Sequence, residues 1–240
     1  MKGVILAGGT GTRLYPLTKI INKHLLPVGK VPMICHGLEK FRKAGIEELL
    51  IVIGKHSAGM YTELLGSGQE WGVNITYKIQ EEAGGIAQAL SLAEPLIKAD
   101  EKFVVLLGDN LFEDSLAAFV QSFQKQAEGA RVLLKKVHDP RRYGVPILKE
   151  EKILLIEEKP LQPKSDYCVT GIYMYDAGVF DIIRSIKPSG RGELEITDVN
   201  NVYAAKGQLA YDILDGWWTD AGTFRSLYQA SSRLLGGPSK

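Results

Sequence analysis

"MKGVILAGGTGTRLYPLTKIINKHLLPVGKVPM", residues 1–33, sets an apolar run (Val4, Ile5, Leu6) directly before Gly8, Gly9 and Gly11. Working outward, residues 2–6 and the later run "EELLIVIG" read as buried parallel strands. Between them "VPMICHGLEKFRKAG" has helical spacing at Ile34, Leu38 and Phe41, with Pro32 suited to the first turn and Gly45 to the stop. Strand, glycine-rich loop, helix and strand form a unit whose ligands collect at the carboxyl ends of the strands.

The alternation continues. Helices are expected around "MYTELLG" and from "GGIAQALSLAEPLI", strands at "NITYKIQ" and "KFVVLLGDN", then a helix over "DSLAAFVQSFQKQA" and a strand at "ARVLLKKV". After Asp139 the texture changes to short strands and turns, as in "YGVPILKEEKILLIEEKP", followed by another strand, "YCVTGIYMYD". Helices near 177–186, 195–206 and 222–235 surround one more strand, "QLAYDIL". With no internal repeat, low-complexity tract or linker, the expectation is a single domain, 1–240, built on a mixed sheet.

The 29 basic and 28 acidic residues give a formal net charge of +1. That balance leaves no global field to draw the chain onto nucleic acid or an anionic membrane, so any anion must be bound locally. Cys35 and Cys168 lack metal-ligand or redox spacing and read as reduced, buried thiols, which fits a cytoplasmic setting. No apolar run approaches the roughly 18 residues needed to span a bilayer, and the first residues form a strand rather than a targeting signal.

Glycines let backbone N–H groups approach phosphate oxygens closely, and "AGGTGTR" supplies such a run. It is neither common phosphate motif. The dinucleotide fingerprint needs glycine where Leu14 stands and an acidic ribose partner that is lacking, and the P-loop needs Gly-Lys-Ser/Thr. Arg13 follows the glycines instead, and Lys23 comes ten residues later. Two fixed cations beside such a cradle suit a polyphosphate that is broken, with charge building on the departing group. Taken alone, the loop is also compatible with a tight turn whose Arg13 pairs with a surface carboxylate.

The blocks "LAGGTGTRLYPLT", "KHLLPVGKVPM", "GIAQAL", "LLGDN", "YGV", "EEKP", "VTGIYMYD", "RGELEITD" and "WTDAGT" occur in this order from residue 3 to about 230. Together they resemble the sugar-1-phosphate nucleotidylyltransferases, most of all the thymidylyl-transferring branch. The resemblance implies a Rossmann-like α/β nucleotidyltransferase fold: a mixed, mostly parallel central sheet flanked by helices, with a small β-rich sugar-binding subregion. The nucleotide-binding part would be about 1–137 and the sugar-phosphate-binding part about 138–225. It further implies dTTP and glucose 1-phosphate as substrates, Mg2+ as cofactor, and a homo-oligomer, tetramer or dimer. Longer members run on in a helical tail involved in subunit packing and in a second, regulatory nucleotide site; this chain stops at "RLLGGPSK", so feedback regulation is not part of the expectation.

By resemblance Gly8, Gly9, Gly11, Thr12 and Arg13 wrap the triphosphate, with Arg13 and Lys23 on the departing phosphates. Asp109, at the end of a buried strand, and Asp220, in "GWWTDAGT", would hold magnesium; two carboxylates on one phosphate suffice for that ion. Lys159 of "EEKP" would hold the sugar phosphate and align it. Glu158, Gly144 and Val169 match sugar-contacting positions, with Thr170, Gly171, Glu193 and Arg191 as supporting members. Gln80, which offers a donor and an acceptor to the imide edge of a pyrimidine, and Gly85, which lets the backbone near the ring, would hold the base. His24 stands where relatives carry glutamine and is given no chemical role. A non-catalytic nucleotide-sugar-binding regulatory protein on this fold would be expected to lose one of Asp109, Asp220, Arg13, Lys23 or Lys159.

Overall fold

The computed structural model describes residues 1–236; residues 237–240, the end of "RLLGGPSK", lie outside the described residues. Strands are β1 (Lys2–Ala7), β2 (Pro27–Val28), β3 (Val31–Pro32), β4 (Glu48–Gly54), β5 (Asn74–Gln80), β6 (Lys102–Leu107), β7 (Asn110–Phe112), β8 (Ala130–Lys136), β9 (Gly144–Lys149), β10 (Lys152–Glu158), β11 (Tyr167–Asp176), β12 (Leu209–Ile213) and β13 (Trp218–Asp220). Helices are α1 (Met33–Lys43), α2 (Ala58–Leu65), α3 (Ile86–Ser91), α4 (Leu116–Lys125), α5 (Val179–Ser185), α6 (Ile196–Ala205) and α7 (Phe224–Leu234).

Seven strands form the central sheet in the order β12-β8-β11-β6-β1-β4-β5. Only β11 runs antiparallel, to both β6 and β8; the remaining neighbours are parallel. The expected mixed, mostly parallel sheet is therefore present. β1 is apolar on both faces because both are covered: Val4 and Leu6 pack with α3, α5 and α6, while Ile5 and Ala7 pack with α1, α2 and α4. Gly37 keeps α1 close to the sheet, since a Cβ there would lie 3.0 Å from Leu106 Cδ2.

β1 lies between β4 and β6, so successive connections leave it toward opposite edges of the sheet. That reversal opens a crevice at the carboxyl ends of β1 and β6, where open α/β sheets hold ligands. The loop after Ala7 and the residues after Leu107 both enter it. Two features differ from the sequence reading. The helix expected through "GGIAQALSLAEPLI" ends at Ser91 and resumes as one 3-10 turn over Glu94–Leu96, because Pro95 has no N–H for a continuing α-helix. The strand expected through Asn110 ends at Leu107. Asn110 instead begins β7, which pairs antiparallel with β13, outside the central sheet.

After Asp139, β9 and β10 form the expected hairpin, turned through Glu150 and Glu151, both at positive φ (50° and 60°). It is held to α6 by Asn201, whose Oδ1 accepts from Ile156 N at 2.7 Å and whose Nδ2 donates to Ile156 O at 3.0 Å. No helix among the described residues is long and apolar enough to cross a membrane.

Candidate active site

The glycine-rich loop leaves β1 and tightens into a 3-10 turn over Thr12–Leu14, with Gly11 at φ +68° before it. A side chain on Gly11 would come within 2.9 Å of both Lys23 Cβ and Thr18 Cγ2, so the glycine lets the loop lie against the segment carrying Lys23. Thr18 Oγ1 donates to Gly11 O at 2.8 Å and fastens that contact. Gly9 lies beside the Lys23 stem, 3.5 Å from its Cε by the same measure. Thr12 is exposed at the loop surface.

Lys23 is pinned inward. Its side chain is 14% exposed, and its Nζ donates to Asp109 Oδ2 in a short contact. The neighbouring His24 is buried, its Nδ1 2.8 Å from Asn22 Oδ1 and 3.3 Å from the Tyr61 hydroxyl. Burial first, and then the adjacent Lys23 ammonium, lower the imidazole pKa to about 3, so His24 is neutral at physiological pH. It fills the space over Gly108, where a Cβ would stand 2.8 Å from its Cδ2. The role left blank in the sequence reading is thus packing beneath Lys23 and Asp109.

Asp109 and Asp220 meet because β7 and β13 pair with Asn110 opposite Asp220, and Ala221 N donates to Asp109 O at 2.9 Å. Burial works to raise the pKa of Asp109. The Lys23 ammonium and hydrogen bonds from Lys23 and Asn110 overcome it and hold the carboxyl far below its usual range. Asp220 goes the other way: burial and the Asp109 charge raise its pKa against the opposing pull of Arg13 and Lys23. Arg13, with a side chain 54% exposed, reaches Asp220 Oδ2 at 3.5 Å, and Gly222 leaves room for it. Two ion pairs, Lys23 with Asp109 and Arg13 with Asp220, thus meet at the crevice floor with their carboxylates toward each other.

Asn110, given no role in the sequence reading, organises this floor. Its Oδ1 accepts from Gly171 N and from Trp218 Nε1, both at 2.8 Å, filling both lone pairs, while its Nδ2 donates to Asp109 Oδ1 at 3.1 Å. It fits because Gly171 has no side chain; a Cβ there would lie 2.5 Å from Nδ2. Gly171 lies in the break in β11's pairing to β8 between Val169 and Tyr173 and before its ladder to β6 begins at Ile172, so its N–H is available for this bond. Thr170 is buried there with its hydroxyl committed to Leu133 O at 2.8 Å, so its side chain supports the crevice from below.

The residues expected on the sugar side gather at the end of the hairpin. Glu158 is paired in register with Gly144, and a Cβ on Gly144 would stand 3.6 Å from Glu158 Oε2. Thr197 Oγ1 donates to that same oxygen at 2.7 Å, whereas Glu158 Oε1 faces Lys159 Nζ at 3.0 Å and Arg191 Nη2 at 3.7 Å. Lys159 adopts φ +47°, unusual for a residue with a Cβ, and its N–H donates to Tyr143 O at 3.0 Å. The Tyr143 ring meets Trp218 edge to face at a centroid distance of 5.4 Å, which ties this group to Asn110 and the aspartates. Val169 is half-buried on β11.

Gln80 ends β5 and is 6% exposed. Its amide lies on Gly8, where a Cβ would be 2.0 Å from Oε1, and its Nε2 donates to Gln88 Oε1 at 2.6 Å. Gly85 stands at φ +101°, but the space a Cβ would fill is taken by the Leu194 backbone (2.5 Å from its O) and by Glu193 Cβ at 3.1 Å. The conformational freedom of Gly85 thus serves the junction with the 193–194 segment, which is closed by Leu194 N donating to Gly84 O at 2.8 Å. Of the site residues missed by sequence reading, Gln88 lay in a quoted block and carried no separate signal; Asn110 was visible only as the residue after Asp109.

Comparison with known proteins gives the family of the chain. Residues 2–236 match the model of the nucleotidyl transferase family. Curated relatives named glucose-1-phosphate thymidylyltransferase include one from Neisseria meningitidis, 42% identical over 238 residues that cover 97% of this chain and 82% of the relative. Another, from Mycobacterium tuberculosis strain H37Rv, is 44% identical over 235 residues, 96% of this chain and 81% of the relative. A Bacillus anthracis protein provisionally assigned the same activity, solved in complex with a sucrose, superposes with a TM-score of 0.94 at 53% identity, covering 100% of this chain and 97% of that one. A UDP-glucose pyrophosphorylase complexed with UDP-glucose reaches 0.86 at 26% identity, covering 98% of each chain. The family resemblance read from the motif blocks is borne out: this chain belongs to the nucleotidyl transferase family.

Proposed function

We propose that this protein transfers a thymidylyl group from dTTP to α-D-glucose 1-phosphate, forming dTDP-glucose and pyrophosphate. The observation that carries the reading is the pairing of Lys23 with Asp109 and of Arg13 with Asp220 beside the glycine loop, in a chain 42–44% identical to thymidylyltransferases over nearly its whole length. The sugar phosphate oxygen attacks the α-phosphorus in line; it is already an anion, so no enzyme nucleophile is needed. The bond from the α-phosphorus to the bridging oxygen breaks, and the pyrophosphate carries away the electron pair. Arg13 and Lys23 neutralise that leaving group. Lys159 aligns the attacking phosphate, and Glu158, held by Thr197, accepts hydrogen bonds from sugar hydroxyls.

The donor set fits magnesium. Asp109 and Asp220 offer oxygen alone, and among the described residues no cluster of three or more His, Cys, Asp or Glu exists that would suit a metal held by protein ligands only. Magnesium bound by these two carboxylates would neutralise charge on the α-phosphate. Gln80 reads the pyrimidine edge. Because thymine differs from uracil by one methyl group, worth about 1–3 kcal/mol in a pocket, UTP is expected to serve as a weaker substrate.

The test is pyrophosphate release with magnesium and glucose 1-phosphate, run in parallel with dTTP, UTP, dCTP, GTP and ATP, with products resolved by chromatography. Preference for dTTP with some UTP use is expected. Binding of dTDP-glucose without turnover of any nucleotide would overturn the enzymatic reading in favour of a regulatory binding protein.

A further inference from the structure

We propose that Gln88 is a specificity-positioning residue: by accepting a hydrogen bond from Gln80 it fixes which way round the Gln80 carboxamide faces, and so makes the base site prefer thymine and uracil over cytosine. The inference rests on the proposed role of Gln80 at the base.

A lone carboxamide is a poor judge of pyrimidines. Presented one way, its oxygen accepts from the N3–H of thymine while its N–H donates to a carbonyl; turned over, its N–H donates to N3 of cytosine and its oxygen accepts from the amino group. Discrimination therefore requires that the turn be prevented. Here the Gln80 Nε2 donates to Gln88 Oε1 at 2.6 Å; turning Gln80 over alone would set two acceptor oxygens against each other, so the two carboxamides can turn only together.

Both side chains are confined to make that bond. Gln80 is buried with its amide against Gly8, where the virtual Cβ stands 2.0 Å from Oε1, so only a glycine leaves room for it. Gln88, in the first turn of α3, lies along Gly84, where a Cβ would be 3.0 Å from its Cγ and 3.3 Å from its Cδ. Among the described residues Oε1 of Gln80 and one of its two N–H groups have no protein partner, which leaves one acceptor and one donor for a base edge.

The experiment compares wild type, Gln88→Leu and Gln88→Glu. Dissociation constants for dTTP and dCTP are measured by titration, and kcat and KM are measured with glucose 1-phosphate. Gln88→Leu removes the acceptor, and the preference for dTTP over dCTP should fall about tenfold, the scale of one hydrogen bond to a base. KM for glucose 1-phosphate should stay within about twofold. Gln88→Glu offers acceptors only, so Gln80 can still face one way and the preference should be kept or sharpened, even if both nucleotides bind more weakly beside the new charge. The dTTP-to-dCTP ratio is unaffected by a uniform loss of affinity, which a purely structural role would produce. An unchanged ratio in Gln88→Leu, or an equal fall in Gln88→Glu, overturns the proposal. A wild type that binds dTTP over dCTP but makes no product refutes the transferase reading and leaves Gln88 to be judged from binding; a wild type that binds neither overturns both.

Discussion

Asn110 offers a test of how the crevice floor is held together. Replacing it with alanine removes an oxygen that accepts from Gly171 N and Trp218 Nε1, and an amide that donates to Asp109. Gly171 N is buried and would be left without a partner, at a cost of about 1–3 kcal/mol. Trp218 is half-buried and can recover some hydration, so its loss is nearer the ordinary net value of about 0.5–1.5 kcal/mol. Together Asn110→Ala should destabilise the fold by roughly 2–4 kcal/mol, a large share of the ~5–15 kcal/mol typical of a domain. Urea unfolding measures this as a lower midpoint at unchanged slope. Trp218→Phe alone should cost about 0.5–1.5 kcal/mol, and in the Asn110→Ala background that hydrogen-bond cost should vanish, giving a coupling of the same size. A destabilisation below about 1 kcal/mol, or strict additivity of the two substitutions, would refute the hub.

Asp109→Asn should lower kcat/KM by about two orders of magnitude or more while far-UV circular dichroism stays that of the wild type; activity within about tenfold would remove Asp109 from the metal site. Lys159→Ala should raise KM for glucose 1-phosphate about tenfold with KM for dTTP nearly unchanged, and an effect confined to dTTP would move Lys159 to the other substrate. Burial pushes the Cys35 and Cys168 thiols up to about 12 from an ordinary 9.0. A thiol reagent at pH 8 should therefore modify neither in the native protein and both in urea. The unfolded chain releases these protons near pH 9 while the folded chain holds them to about 12, so stability from this source is present below pH 9 and lost as pH rises across that window. A native protein that titrates rapidly at pH 8, or one whose unfolding midpoint is flat from pH 9 to 11, would contradict the burial.

The sequence by itself determined the units. The apolar run at 3–6, the glycines that end it and the helical spacing of Ile34, Leu38 and Phe41 specify a strand, loop and helix through purely local requirements: burial on both strand faces, close backbone approach and a 3.6-residue period. The motif blocks added the family and singled out Lys23, Asp109, Lys159 and Asp220 as candidates. Only tertiary structure decided what lies next to what. Strands buried on both faces carry no record of their neighbours, so the insertion of antiparallel β11 between β6 and β8 was invisible. The three-residue strands β7 and β13 are too short to show a period, yet their pairing is what sets Asp220 beside Asp109 from more than a hundred residues away. Gln88 and Gly85 make the same point: a polar side chain on a short helix and a glycine in a loop have many uses, and the partner at hydrogen-bonding or contact distance selects one, Gln80 for the first and the Leu194 backbone for the second.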